Sequence, residues 1–193
     1  DDRTEQSNKI ISTQLQIPFG YWTFSTNYSY SEYFLTNFAT NQSFQTSGNT
    51  ENFGARINRV IYRDKSNKTS ANIDFTHKNI AAFLEGSELA SGTRALSILT
   101  IDVDNTLRAF NSIIYGSIGY ERGLDLFGAR SDQAGLDFTQ PRAQYDKFTF
   151  NTSFYKPFKI KSQTLIYRVI AAGQYSPDHL FSSEQINIGD RFT

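Results

Sequence analysis

Few residues in this chain have the type and spacing that catalysis or metal binding requires. The sequence contains no cysteine, which excludes disulfides, thiolate metal ligands and a thiol nucleophile. Its two histidines are far apart in sequence. His77 falls on the apolar side of an alternating segment, and His179 falls in a polar connection. We interpret both as structural residues and not as metal ligands or general bases.

One acidic run resembles the beginning of a calcium-binding loop. Asp102-Val103-Asp104-Asn105 matches its first positions, but such a loop needs Gly at position six and Glu at position twelve. This chain has Leu107 and Ile113 at those two positions. We therefore interpret the run as a turn that follows a strand. The sequence also lacks a phosphate-binding glycine motif and a Gly-x-Ser-x-Gly elbow. It predicts no enzyme activity, no cofactor and no metal.

Composition excludes several classes of protein. The 19 acidic and 19 basic residues balance, so no overall basic surface for nucleic acid is expected. No stretch approaches the ~20 apolar residues of a membrane helix, and the mean hydropathy is negative. A membrane β-barrel remains compatible with this composition because its strands alternate lipid-facing and lumen-facing residues. The polar start, 1–5, contains no signal peptide, from which we expect a mature or excised chain.

Alternation with a period of two divides the sequence into eight predicted strands. The clearest example places Trp22, Phe24 and Tyr28 on one side and Ser25 and Asn27 on the other. A strand sorts residues in this way, whereas a helix would scatter them. The predicted strands are 11–17, 22–31, 54–62, 70–78, 94–103, 112–120, 147–154 and 165–175.

The connections between these strands alternate in length. Short connections are predicted at 18–21, 64–68, 104–108 and 156–161, and long ones at 32–50, 79–93, 122–144 and from 176 onward. Up-and-down membrane barrels have short periplasmic turns and longer external loops, whereas a β-sandwich has no reason to sort its loops in this way. Aromatic residues also cluster at strand ends, as in the girdles of such barrels. The fold class predicted is all-β, an antiparallel transmembrane β-barrel.

Charged residues fall on the polar side of the predicted strands, which would face the lumen. They are Arg56, Asp74, Asp102, Glu121, Lys147 and Arg168. These charges could simply form a solvated or salt-bridged lumen. Alternatively, some of them hold a loop inside the barrel or contact a passing polypeptide. Their mixed signs favour a non-selective conduit over an ion filter.

Several segments resemble one known family in the same order along the chain. These are Ile-Pro-Phe-Gly-Tyr-Trp-Thr at 17–23, Tyr-Ser-Glu-Tyr at 30–33, Val-Ile-Tyr-Arg-Asp at 60–64, Gln-Tyr-Ser-Pro-Asp at 174–178 and Ser-Ser-Glu-Gln-Ile-Asn-Ile-Gly-Asp-Arg-Phe-Thr at 182–193. They are similar to the two-partner secretion transporters, the haemolysin activation/secretion class that also includes contact-dependent-inhibition exporters. The resemblance spans nearly the whole chain.

The resemblance implies a sixteen-stranded outer-membrane barrel preceded by two periplasmic POTRA domains. The whole chain, 1–193, would be a partial barrel containing about strands 4–11, and the POTRA domains and remaining strands would lie outside it. Residues 176–193 would begin the loop that enters the lumen. The base of that loop would be formed by Ser182, Ser183, Glu184, Gln185, Gly189 and Arg191.

By the same resemblance, the protein would secrete a large partner exoprotein from the periplasm to the cell surface. It would contact outer-membrane lipid and would need no nucleic acid or small-molecule substrate. Three other functions stay open from the residues alone: a passive porin, a soluble β-barrel or sandwich that binds a ligand, and an outer-membrane enzyme. A self-closed eight-stranded barrel is a further structural alternative, because a slice of a larger barrel has two open edges.

Overall fold

The structure, a computed structural model, describes residues 7–39 and 42–186 and forms one antiparallel sheet over most of them. The strands of this described part are β1 (Ser7–Phe19), β2 (Trp22–Ala39), β3 (Gln42–Arg63), β4 (Asn67–Leu84), β5 (Ser87–Glu88), β6 (Arg94–Ala109), β7 (Ser112–Leu124), β8 (Asp146–Ile160) and β9 (Gln163–Tyr175). The long strands pair in chain order, while β5 pairs with β4 alone. Among the described residues, no helix has the length and apolar character needed to cross a membrane.

The register gives the sheet two different faces, because residues directly opposite one another share a face. One row runs across seven strands and contains Phe24, Ile57, Ile73, Ile101, Tyr120, Phe148 and Tyr175. We call this side the apolar face. The adjacent row, on the polar face, contains Ser25, Arg56, Asp74, Thr100, Glu121 and Lys147. An apolar outside and a polar inside are the two surfaces of a membrane barrel wall.

All eight predicted strands are present, and each is longer than predicted. The predicted long connection 32–50 is wrong, because β2 continues to Ala39 and β3 begins at Gln42. These extensions are paired along their length. Residues 43–52 of β3 are mostly polar yet pair with β2 along their length, so composition alone does not distinguish strand from loop here.

The predicted short connection 104–108 is also wrong. β6 continues through it, with Asp104 opposite Ser70, and the turn comes later at Phe110 and Asn111. Both turn residues have positive φ, 53° and 56°, as two-residue hairpin turns of the primed type require. Similarly, β8 continues through most of 156–161 to Ile160, and β4 extends to Leu84 within the predicted connection 79–93.

The alternation of connection lengths holds except at the β2–β3 hairpin. One end of the sheet, the short-turn end, carries the turns at 20–21, 64–66, 110–111 and 161–162. The other end, the long-loop end, carries the β2–β3 tip, the β4–β6 connection, the β7–β8 connection 125–145 and the chain that follows β9.

The sheet is open in the described residues. β1 and β9 are its two edges and do not pair with each other, so a self-closed eight-stranded barrel is not formed. The small buried cluster lies on the polar face near the long-loop end and consists of Ile98, Tyr145 and Leu180. The polar face is therefore partly covered by chain from outside the strands.

Candidate functional site

One row of the polar face carries charged residues on β3, β4, β7 and β8. Arg56 forms an ion pair with Asp74 directly opposite, and Lys147 Nζ lies 2.5 Å from Glu121 Oε2. Thr100 stands between the two pairs in the same row. The structure therefore arranges four of the predicted charged residues as two ion pairs in one row.

Asp102 lies one row nearer the short-turn end and is held by an asparagine network. Asn72 is buried and donates hydrogen bonds to Asp102 Oδ1 and Asp104 Oδ1, both at 2.9 Å. Asn58 donates to Asn72 Oδ1 at 2.6 Å. The interpretation of 102–105 as a turn is therefore wrong: both carboxylates point to the polar face from the middle of β6.

Arg168 is not brought to the other charges. It shares the polar face but lies opposite Tyr155. Tyr155 is eight residues along β8 from Lys147, a distance of ~26 Å along an extended strand. Arg168 therefore belongs to the short-turn end of the wall.

The chain that follows β9 turns back across the polar face. We call residues 176–186 the anchor segment. Its buried carboxylate, Glu184, accepts hydrogen bonds from Lys78 Nζ at 2.9 Å and from Ser183 Oγ at 2.9 Å, both on Oε1. Tyr145 OH donates to Oε2 at 3.3 Å. Opposite charge and several donors are what make a buried carboxylate tolerable.

Lys147 connects the polar face of the sheet to the anchor segment. Its buried ammonium pairs with Glu121 and also donates to the Glu184 backbone oxygen at 3.3 Å. Because lysine has three donors on one nitrogen, it can serve both partners at once. Two sets of residues that the sequence predicted separately, the wall charges and the loop base, thus meet at this one side chain.

A second contact in the anchor segment is aromatic. The Phe181 ring lies beneath two guanidinium groups, with Arg94 Cζ 4.7 Å and Arg130 Cζ 5.7 Å from its centroid. Arg94 Nη2 also donates to Ser183 Oγ at 3.2 Å. Cations over an aromatic face are attracted by the ring quadrupole, so Phe181 is held from β6 and from the β7–β8 connection.

The β7–β8 connection packs beneath the anchor segment through a close backbone approach at Gly123. A Cβ placed there would lie 1.8 Å from the Ala143 backbone oxygen, and the Gly123 N–H donates to the Tyr145 oxygen at 2.9 Å. Only glycine leaves that space. Burial raises the pKa of the Tyr145 phenol, and the nearby charge of Glu184 raises it further. The phenol thus stays protonated and able to donate.

The remaining predicted loop residues have smaller roles in the described part. Gln185 Nε2 donates to the Leu180 oxygen at 2.9 Å. Ser182 opens a 3-10 turn, and its oxygen accepts from the Gln185 N–H at 3.3 Å. Gly189 and Arg191 lie outside the described residues.

Lys78, Arg94 and Tyr145 are site residues that sequence reasoning missed. Lys78 closes the predicted strand 70–78 on its polar side, so alternation could have identified it. Arg94 is the first residue of the predicted strand 94–103. It lies an even number of residues from Asp102, so alternation places both on the same face. Tyr145 lies in a connection, where alternation carries no signal.

The two histidines have structural surroundings. His77 lies on the apolar face, and its Nδ1 is 2.9 Å from Ser97 Oγ, which in turn donates to the Leu126 oxygen at 2.8 Å. The His179 backbone oxygen accepts from the Arg142 N–H at 2.8 Å. Within the described ranges, no group of three or more His, Asp or Glu side chains is arranged to hold a metal ion.

Comparison with known proteins identifies one family over the whole chain. The family model of haemolysin secretion/activation proteins (ShlB/FhaC/HecB) matches residues 1–193. The chain is 26% identical to the outer membrane transporter CdiB of Dickeya dadantii over 186 residues, which is 96% of the chain and 33% of that relative. It is 23% identical to the hemolysin transporter protein HpmB of Proteus mirabilis, over 99% of the chain and 34% of that relative.

Two solved structures have the same fold. CdiB from Escherichia coli superposes with a TM-score of 0.86 at 23% identity, over 93% of this chain and 33% of that one. CdiB from Acinetobacter baumannii gives 0.80 at 24% identity, over 99% and 33%. The chain thus spans about a third of the length of the relatives it matches. The matched family is one of secretion proteins and not of enzymes, and its CdiB relatives are outer membrane transporters.

Proposed function

Because the chain belongs to the haemolysin secretion/activation family, we propose that it is the middle part of an outer-membrane transporter that secretes a large partner exoprotein. Its eight long strands are strands 4–11 of a sixteen-stranded barrel. The complete protein passes the exoprotein from the periplasm to the cell surface and has no enzyme activity. The observation that carries this proposal is the family match over all residues of the chain.

In this proposal, the polar face lines the conduit and the anchor segment begins the loop inside it. Support comes from the direction in which the chain leaves β9: it folds onto the polar face, where Lys78 and Lys147 hold Glu184. Ser182, Ser183, Gln185, Gly189 and Arg191 belong to the same loop base.

The wall chemistry suits a polypeptide that passes without being selected by charge. Arg56–Asp74 and Lys147–Glu121 are mutually neutralised pairs, so the row has no dominant sign. An ion-selective pore would instead present a ring of one charge. Asn72 and Asp102 add hydrogen-bonding groups that a hydrated, unfolded chain can slide past.

A secretion assay tests the proposal. The full-length gene is co-expressed with the large exoprotein encoded beside it, and exoprotein is measured in the medium and in the periplasm. We expect release that depends on the transporter and stops when 182–186 is replaced by glycine and serine. The matched control is the same replacement at 136–140, an equally short segment of the β7–β8 connection whose hydrogen bonds stay within residues 133–140.

A porin would behave differently in the same cells. If the exoprotein stays periplasmic in every case while small solutes cross the membrane, the protein is a passive channel and the secretion proposal is rejected. If release is unchanged by the 182–186 replacement, the anchor segment has no part in export.

A further inference from the structure

The apolar face carries one arginine near the short-turn end, in a row of otherwise apolar or small residues. Arg59 lies opposite Trp22 on β2 and Ala71 on β4. Its guanidinium carbon is 4.8 Å from the centroid of the Trp22 ring. Within the described residues Arg59 has no acidic partner, although it is exposed on the face that lipid covers. A cation on the lipid side of a barrel wall, close to the interface, can be stabilised by an anionic headgroup.

A β-bulge turns a second polar group towards Arg59. The register between β3 and β4 shifts between Val60 and Tyr62, which places Tyr62 opposite Thr69. Thr69 is on the apolar face, so Tyr62 joins Arg59 there. Without the extra residue it would fall on the polar face. Bulges that re-aim a side chain in this way are common next to functional sites.

The carboxylate of the β3–β4 turn is already occupied. Asp64 accepts hydrogen bonds from the Tyr62 hydroxyl at 2.8 Å and from the N–H groups of Ser66 and Asn67, each at 2.7 Å. Asp64 therefore closes the β3–β4 turn and leaves the positive charge of Arg59 free for another partner.

An open cavity of about 610 Å³ is lined by Arg59, Arg63 and the aromatic side chains around them. Phe19, Tyr21, Trp22 and Tyr62 form its apolar wall. Arg59 lies four residues from the end of β3, which is ~13 Å along the strand. Aromatic residues at that depth mark the boundary between hydrocarbon and headgroups. The cavity therefore combines cationic and apolar surface where phosphates meet acyl chains.

We propose that this Arg59 cavity binds the phosphodiester of a phospholipid from the periplasmic leaflet. The planar guanidinium donates two parallel hydrogen bonds to phosphate oxygens, while the Trp22 ring holds it in place and the aromatic wall packs against the glycerol and upper acyl carbons. The proposal depends on the membrane location of the chain and not on secretion.

Lipid retention measured by native mass spectrometry tests this site. The full-length protein is released from detergent micelles that contain phosphatidylglycerol, and bound lipids are counted. We expect Arg59→Gln to weaken retention of the tightest-bound lipid about tenfold or more, as loss of a charge-assisted pair implies. Arg108→Gln is the matched control, because Arg108 lies at the same end of the sheet but on the polar face. The Arg108→Gln variant should retain the lipid as tightly as the wild type does.

Two results would overturn the proposal. The first is Arg59→Gln retaining phosphatidylglycerol as tightly as the wild type. The second is equal losses in Arg59→Gln and Arg108→Gln, which would mean only general attraction of anionic lipid. If Arg59→Gln fails to assemble, Arg59→Lys decides: it keeps the charge but not the paired donors, so we expect weakened retention, and wild-type retention refutes the site.

Discussion

At the scale of single residues, the Glu184 carboxylate is the group that binds the anchor segment to the polar face. It is buried, and its charge is matched by Lys78, which lies more than a hundred residues earlier in the sequence. Pairs of this kind are costly to break because the remaining partner keeps its burial but loses its counter-charge. Exposed ion pairs contribute far less.

We therefore predict that Glu184→Gln loosens the anchor segment. The lost ion pair should lower its opening free energy by ~2–3 kcal/mol, which corresponds to ~30–150-fold faster hydrogen exchange in 176–186. Glu32→Gln is the control, because its pair with Lys9 is exposed and 3.9 Å long. Equal exchange in both variants would contradict the anchoring role.

The Asp64 turn makes a pH-dependent prediction. The Ser66 N–H, the Tyr62 hydroxyl and the Asn67 N–H lower the pKa of Asp64 to about 2. A carboxylate with a depressed pKa stabilises the fold above its unfolded pKa of ~4, and this contribution disappears as the pH falls towards 2. Asp64→Asn should therefore lower the urea midpoint of the full-length protein in vesicles at pH 7 but not at pH 2. An equal difference at both pH values would reject this explanation.

At the scale of elements, the β7–β8 connection and the anchor segment behave as one unit. Tyr145 touches Glu184, while Asp178 accepts from the Asp146 N–H at 2.9 Å and lies 3.7 Å from Arg142. The anchor segment and residues 143–145 of the connection meet on the polar face, where Gly123 leaves room for the backbone of 143–145. Disturbing one element should therefore release the other.

Gly123→Ala tests this coupling. Its Cβ would overlap the Ala143 oxygen, so we expect the connection to move away at a cost of ~1–3 kcal/mol, with faster exchange in 176–186 as well as in 143–145. Gly116→Ala is the matched control on the same strand, since nothing lies within 4 Å of a Cβ at that position. Faster exchange confined to 143–145 would show that the two elements are independent.

At the scale of the whole molecule, the two open edges of the sheet limit the stability of the chain in a membrane when it is alone. β1 and β9 each present an edge of 13 residues, and unpaired backbone groups are not tolerated in hydrocarbon. In the transporter that we propose, the remaining strands of the barrel would pair with these edges.

We predict that residues 1–193 expressed alone do not form a stable monomer in lipid vesicles. The edges should pair between copies, so cross-linking should give oligomers or aggregates. The full-length protein, refolded in the same vesicles, serves as the reference. A protease-resistant monomer of 21.9 kDa would contradict the prediction and favour a self-closed barrel.

Most of the strand architecture was predictable, because a strand facing lipid on one side and water on the other must alternate. Trp22, Phe24, Ser25 and Asn27 carry that signal in the side chains themselves. The same alternation predicts that the charged residues of the strands, such as Arg56, Asp74 and Lys147, lie on one face. Beyond Glu32 the alternation breaks, because Tyr33, Phe34 and Leu35 are consecutive large apolar residues, so a period of two does not predict the extension of β2 to Ala39.

The sequence by itself determined which residues share a face, because parity is a local property of the chain. Only the tertiary structure decided which distant residues meet. Lys78 reaches Glu184 across 106 positions of sequence, and Lys147 joins Glu121 to the anchor segment. Such contacts depend on the register of every intervening strand and on the path of the β7–β8 connection over Gly123, and no local pattern encodes either one.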